Sequence, residues 1–267
     1  MKQLAFIGTG NMGGALARAA AKGGHTLLLA NRTPAKAEVL AKELGGTVCQ
    51  NAVAAEAAEL LLLGVKPQGL PGLAEELAPV LQARKGNAPV VVSMATAVTL
   101  RELDAMLGGG LPLIRIMPNT PAAVGAGTIL YAAQNVTDAQ LNAFRAVLAQ
   151  AGLLLPLPEA QIDAASAISG CGPAFCFQFA DALALGGVRA GLSYPDACRL
   201  AAQTMLGAAE MLLQGGEAPD VLKMRVCSPA GTTIEGVLAL EQGGFSYTVQ
   251  NAVTAAYRRT VEMTRKG

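Results

Sequence analysis

The chain opens with LAFIGTGNMGGALARAA, which sets Gly8, Gly10 and Gly13 in a GxGxxG spacing between an apolar run and an alanine-rich helical pattern. No other feature restricts the fold as strongly. In a strand–turn–helix unit the first glycine permits the tight turn. The second lets the backbone approach a pyrophosphate, and the third lets the helix pack closely on the strand. The spacing alone is common, and a glycine-rich turn that only packs is the plain alternative. Here it follows a strand pattern, precedes a helix and is succeeded by a second βα unit, so dinucleotide binding is expected.

The rest of the first half continues that alternation. Short apolar runs at 4–7, 26–30, 60–65, 89–93, 113–117 and 128–131 read as strands. Helical patterns at 11–22, 34–44, 70–80, 100–106 and 138–150 lie between or after them. That order argues for a mostly parallel, doubly wound sheet covered by helices. The second strand ends in LLLANRTPAK, with no acidic residue to hold a ribose diol. Asn31, Arg32 and Thr33 supply donors and a positive charge instead, which suits a 2′-phosphate and favours NADPH over NADH. A solvated Arg32 at an ordinary helix start is the other reading. GVKP (64–67), SMAT (93–96) and MPNTP (117–121) close later strands and are expected to rim the cleft. Lys66 is a proton-donor candidate, a solvated strand-end lysine or a backbone-level cofactor contact. Asn119 is either a positioning group or a structural turn.

Composition narrows the class. Of 267 residues 52% are apolar and 15% charged, enough for buried cores and too apolar for disorder. A net charge of +1 without a basic run argues against nucleic-acid and anionic-membrane partners. Mean hydropathy is +0.40, but the longest uncharged stretch, 116–137, carries two prolines, two glycines and two asparagines and is not a bilayer helix. The first residues do not have the form of a signal peptide, so a cytoplasmic protein is expected. Five cysteines, without a CxxC, indicate neither a disulfide framework nor a zinc site, and most are expected to be buried small hydrophobes. One histidine, His25, is expected at a helix end in a capping or surface role. Metal-hydrolase and histidine-triad chemistry lose most of their support, and no metal is expected.

The texture changes after GLLLPLPEA. Residues 158–267 read as an all-helical domain, following a dinucleotide-binding domain at 1–157. The helices are expected at 161–191 with a break at SGCGPAF, then at 195–214, 219–226, 233–241 and 246–265. They are apolar on more than one face. Packing against a second copy explains that better than a lone bundle, so a homodimer is expected, with further assembly left open. Within this half, VCSPAGTTIEGVLALE runs small and hydroxylic residues into a helix start. That pattern suits an anion on exposed backbone amides, although helix capping by Ser228 and Thr232 is written the same way.

FIGTGNMG, GVKPQ, RIMPNTPA, SGCGPAF and SPAGTTIEGVLALE occur in this order and span the chain. Together they resemble pyrroline-5-carboxylate reductase, the NAD(P)H-dependent enzyme that completes proline synthesis. The first motif is shared by many dehydrogenases; the last is close to diagnostic. The resemblance implies an N-terminal Rossmann domain, a C-terminal helical dimerisation domain, and active sites assembled where the domains and the partner subunit meet. It implies cofactor contacts at Ile7, Gly8, Thr9, Gly10, Asn11 and Met12, at Asn31, Arg32 and Asn51, at Val65, Lys66 and Pro67, and at Met94, Ala95 and Thr96. The substrate carboxylate is expected on the amides of Gly231, Thr232 and Thr233 near Ser228, with the Thr233 hydroxyl close to the ring nitrogen. Cys171 is expected in the substrate region. Two departures stand out: Cys171 replaces the family's usual serine, and Ala230 its usual glycine. Cys171 is a poorer hydrogen-bond donor, and Ala230 restricts its loop if that position needs positive φ.

Two other readings compete. A β-hydroxyacid dehydrogenase also joins a Rossmann domain to helices, but it needs a lysine on the long helix after the glycine-rich bend. The second half has only Lys223 and Lys266. A non-catalytic NADP(H) sensor is the rival from another class, and it has no use for a second anion loop. The imine chemistry asks little of side chains, because a cyclic imine protonated on nitrogen is already electrophilic at carbon. Reduction of related cyclic imines stays open.

Overall fold

The structure, a computed structural model, describes residues 2–264; the expected helix end at Arg265, and Lys266, lie outside them. The chain divides into two compact units. One comprises the described residues up to Cys171 together with those from Tyr257 onward, and the other is Gly172–Ala256.

The first unit runs β1 (Gln3–Ile7), α1 (Asn11–Ala21), β2 (Thr26–Ala30), α2 (Pro34–Leu44), β3 (Thr47–Val48), α3 (Asn51–Ala57), β4 (Leu60–Leu63), α4 (Leu70–Ala83), β5 (Val90–Ser93), α5 (Leu100–Met106), β6 (Leu113–Pro118), β7 (Gly127–Gln134), α6 (Asp138–Leu148), β8 (Gly152–Pro156) and α7 (Glu159–Ser169). Among the described residues eight strands form one sheet in the order β3-β2-β1-β4-β5-β6-β7-β8. All neighbours pair parallel except β6 and β7. The first six strands therefore follow the Rossmann order 3-2-1-4-5-6, with the switch point between β1 and β4.

Near-continuous apolar strands are what a sheet buried on both faces requires. Alternate residues go to opposite faces. Leu4, Phe6, Leu29, Leu62, Val92 and Ile114 join Leu16, Leu40 and Phe144 in one core layer. Ala5, Ile7, Leu61, Leu63, Val91 and Leu113 join Leu70, Leu77 and Leu103 in the other. Thr99 and Glu102 close a capping box on α5, and Thr137 and Gln140 do the same on α6.

The compact units divide between Cys171 and Gly172, which leaves α7 on the side of the sheet. The reason is how α7 is held. Ile162 is fully buried in the second core layer. The Arg115 guanidinium, 4% exposed on β6, donates to Asp163 Oδ1 at 2.6 Å and Glu159 Oε1 at 3.4 Å. Glu159 Oε1 also accepts the Leu100 amide at 2.7 Å, which ties in the start of α5. Three short elements that the sequence leaves as loop also appear. β8 falls within the stretch read as a junction, and its Pro156 is tolerated because the strand lies at the sheet edge. β3 has only two residues, too few for an alternation to show, and α3 is mostly alanine.

The second unit contains α8 (Gly172–Arg189), α9 (Tyr194–Gly215), α10 (Pro219–Val226), α11 (Thr232–Gln242) and the first part of α12 (Phe245–Thr264). Pro195 and the Ser193 cap start α9, and Gly216 in the left-handed region ends it. Tyr194 donates to Asp181 Oδ1 at 2.7 Å, pinning α9 to α8, and that bond pushes the phenol up to about 12. The buried core here is small: Ala184, Ala197 and Ala201. Phe177, Leu213 and Tyr247 are 70%, 81% and 70% exposed, the reverse of what an isolated unit tolerates. The cysteines differ from expectation. None is buried: four are half-buried and Cys176 is exposed; only Cys176 and Cys198 lie within helices, and Cys49, Cys171 and Cys227 sit in the connections between elements. Residues Glu159–Arg189 are long and apolar enough by composition to cross a bilayer, but α7 ends and α8 begins within them.

Arg115→Met leaves two carboxylates without their buried partner. We expect a stability loss of about 3 kcal/mol, measured by urea denaturation; a loss within experimental error removes the network from the account of α7.

Candidate active site

The expected cofactor loops all emerge at one edge of the sheet. Ile7–Met12 follows β1, Asn31 and Arg32 follow β2, and Asn51 opens α3 after β3. Val65–Pro67 follows β4, and Met94–Thr96 follows β5. They span the switch point, where open α/β sheets hold their ligands. His25 immediately precedes β2 and so sits at the opposite edge, which leaves it no part in this site.

Backbone geometry explains the glycines. Gly8 takes φ of 98°, and a Cβ there would sit 2.6 Å from the Gly64 carbonyl. A Cβ on Gly13 or on Gly64 would overlap the Gly8 carbonyl oxygen. The Gly64 amide donates to Ile7 O at 2.7 Å, and the Gly8 amide to Ala30 O at 2.8 Å. Gly64 is thus a third close-packing glycine, which the motif spacing does not contain; its place directly after LLLL is the one signal for it. Gly10 is the contrast, because a Cβ there meets nothing within 4 Å. Gly10 also precedes α1 without a side-chain cap, and the Thr9 hydroxyl is buried without a partner. Open space, uncapped amides and an orphaned hydroxyl together fit a phosphate group.

Asn31 links the loops: its Oδ1 accepts the Thr9 amide at 3.0 Å and its Nδ2 donates to Thr33 O at 2.9 Å. Its side chain is spent on the protein, and the adjacent Arg32 is an exposed cation just beyond the end of β2. A cleft of about 440 Å³ lined by Thr9, Gly10, Asn11, Lys36 and Val39 adjoins this corner, and Lys36 adds a second cation that sequence reasoning passed over. Asn51 donates to Glu76 Oε2 at 2.9 Å. Lys66 is exposed, Met94 packs against one core layer, and Val65 packs against the other. Asn119 resolves toward structure: its Nδ2 donates to Ser169 O at 2.8 Å, and its Oδ1 accepts the Thr128 amide at 2.8 Å. Both halves of the amide are occupied, clamping the end of α7 to β6 and β7.

In the second unit Ser228–Gly231 forms a hydrogen-bonded turn ahead of α11. The Gly231 amide donates to Ser228 O at 3.0 Å. Pro229 occupies the second position, and Ala230 the third with φ of 54°, the arrangement of a type II turn. The Gly231 amide is therefore used inside the turn, unlike the expected cradle of three. Thr232 and Thr233 begin α11, so their amides have no acceptor within the helix, and α11 has no side-chain cap. A Cβ on Gly231 would overlap the Ser228 hydroxyl, which folds over the turn. Thr233 is half-buried at an apolar groove of about 1150 Å³ lined by Phe179, Leu183, Leu200, Val237 and Val249. Cys171 donates its amide to Ser166 O at 3.2 Å.

Two family models match different parts of the chain. Residues 159–263 match the family described as pyrroline-5-carboxylate reductase dimerisation, and residues 3–97 match NADP oxidoreductase coenzyme F420-dependent. The pyrroline-5-carboxylate reductase of Pseudomonas aeruginosa is 38% identical over 267 residues, covering 98% of this chain and 96% of the relative. The chain belongs to the pyrroline-5-carboxylate reductase family. The Mycobacterium tuberculosis H37Rv reductase is 36% identical, covering 98% of this chain and 97% of its own. Among solved structures, a pyrroline-5-carboxylate reductase from Coxiella burnetii superposes with a TM-score of 0.90 at 32% identity, covering 98% of each chain. The Plasmodium falciparum pyrroline carboxylate reductase with NADP bound superposes at 0.86 and 29% identity, also covering 98% of each. The chain is an oxidoreductase with the fold the resemblance implies, and it self-associates through its helical part.

The two glycines separate folding from binding. Gly10→Ala should keep its melting temperature and weaken NADPH binding by at least tenfold in a fluorescence titration, whereas Gly13→Ala should lose several kcal/mol of stability through backbone overlap. A fully retained NADPH affinity in Gly10→Ala removes the pyrophosphate from this loop.

Proposed function

We propose that the chain reduces 1-pyrroline-5-carboxylate to L-proline with NADPH, the last step of proline synthesis. The observation that carries the reading is the head of α11: two amides without helical acceptors, an adjacent Ser228 and the hydroxyl of Thr233, in a chain that holds a complete Rossmann edge in its other unit. NADPH supplies the hydride equivalent for the imine carbon. Arg32 reads its 2′-phosphate, and the cofactor contacts fall on Ile7–Met12, Asn31, Asn51, Val65–Pro67 and Met94–Thr96.

The substrate carboxylate sits on the Thr232 and Thr233 amides, where the helix dipole favours negative charge. Gly231 shapes that cradle through its turn, and Ser228 orders it. The Thr233 hydroxyl holds the ring nitrogen, whose positive charge disappears as the C=N bond becomes an amine. No strong acid is required, because the imine arrives protonated; the residues contribute position and a neutral hydrogen-bonding partner where the charge changes. Cys171 replaces a hydroxyl with a weaker donor in the substrate region. The functional molecule is a homodimer in the cytoplasm. The dimerisation-family match and the exposed apolar helices support the pairing, and five free thiols fit a reducing compartment.

Mixing the protein with NADPH and pyrroline-5-carboxylate and following nicotinamide absorbance tests the reading. Binding of NADPH without its oxidation overturns it in favour of a sensor. Thr233→Val should lower kcat by about 10- to 100-fold, and an unchanged kcat sinks the role assigned to Thr233. Arg32→Ser should raise KM for NADPH by about tenfold and leave KM for NADH nearly unchanged; equal effects on both cofactors remove Arg32 from the 2′-phosphate.

A further inference from the structure

Among the described residues three that are not glycine take positive φ: Ala97 at 63°, Asn135 at 56° and Ala230 at 54°. Asn135 is unexceptional, since asparagine visits the left-handed region readily. Alanine does not, because its Cβ crowds the neighbouring carbonyl oxygen there, a penalty glycine escapes. Neither alanine is placed at random. Ala97 directly follows the Met94–Thr96 loop at the end of β5, and Ala230 is the third residue of the turn that heads α11.

Strained positions of this kind persist only where the surroundings over-determine them. Around Ala97, the Ser93 hydroxyl accepts the Ala95 amide at 3.3 Å on one side. On the other, the Thr99 amide donates to Glu102 at 2.7 Å in the capping box. Around Ala230, Pro229 fixes the preceding φ and the Gly231 amide closes the turn onto Ser228 O. A methyl group in the left-handed region also admits a narrower range of φ and ψ than glycine. Each loop therefore has fewer shapes available to it while no ligand is bound.

We propose that Ala97 and Ala230 are positioning residues that hold the cofactor-side and carboxylate-side loops in their binding shapes before the ligands arrive, at the expense of stability. The inference rests on the roles given to those loops above. Ala97→Gly and Ala230→Gly move two readouts in opposite directions. Calorimetry of the ligand-free variants should show each melting about 2–4 °C higher. Ala97→Gly should raise the dissociation constant for NADPH about two- to fivefold, and Ala230→Gly should raise KM for pyrroline-5-carboxylate by a similar factor, with kcat within about twofold of wild type in both.

A purely structural role predicts the melting shift without any change in binding. Binding constants that stay the same or fall overturn the proposal, and so does a melting temperature that is unchanged or lower. The NADPH titration, and a matching calorimetric titration of Ala230→Gly with L-proline, need no turnover. They decide the inference even where an inactive wild type would defeat the reductase reading.

Discussion

The carboxyl edge of the sheet depends on three backbones that approach more closely than side chains allow. Gly8, Gly13 and Gly64 meet around the Gly8 carbonyl oxygen, so β1, α1 and the end of β4 share one point. That contact sets the entry of α1 and fixes where its uncapped N-terminus faces. It also holds the end of β4 at the switch point. Gly10 stands one residue outside the crowding, with open space in front of it. Packing and binding are thus divided between glycines of a single motif. The division is physical: two are surrounded by protein backbone, and at the third a Cβ would meet nothing within 4 Å, which leaves room for the backbone to approach a phosphate.

A second constraint secures the stretch that leads out of the sheet. Among the described residues Arg115 is the one buried charged residue, and it is matched by two carboxylates with the Leu100 amide added to the set. At the other end of α7, Asn119 spends both halves of its amide on Ser169 and Thr128. α7 is therefore held at its beginning by charge and at its end by neutral hydrogen bonds. A buried guanidinium contributes little net stability when paired, yet its loss is costly, so such a network constrains the position of α7 more than it strengthens the fold. The bend at Gly170–Cys171 inherits that placement.

Much of this was legible in residues. The GxGxxG spacing, the alternation of apolar runs with helical patterns and the NRTP helix start identify the Rossmann half, because each encodes a local geometry. Elements that follow from distant pairing were not legible. β8 exists because β7 offers it an edge, and nothing in GLLLP distinguishes a strand from a junction. α7 is tied to β6 because Arg115, far from it in sequence, recruits Glu159 and Asp163. Asn119 illustrates the limit at single-residue scale: two prolines around an asparagine indicate rigidity but not which groups the amide will meet. At Ala230 the dependence on φ was readable, whereas its sign was available only from the folded turn.

The helix starts show how the same chemistry serves two purposes. α5, α6 and α9 begin on Thr99, Thr137 and Ser193, whose hydroxyls accept backbone amides and leave nothing for a ligand. α1 and α11 begin on Gly10 and Gly231 instead. α4 also follows a glycine, but it continues a 3-10 turn and carries Pro71 in its first turn, which removes a donor. A glycine in place of a capping side chain forgoes only a few tenths of a kcal/mol, and it leaves the first amides of the helix open. For α1 the open space at Gly10 fits the approach of a phosphate. For α11 the turn is so tight that the Ser228 hydroxyl occupies the space a side chain on Gly231 would need. Both helices leave their first amides without a side-chain cap, and we propose that the anions they attract differ in kind: one belongs to the nucleotide, the other to the molecule it reduces.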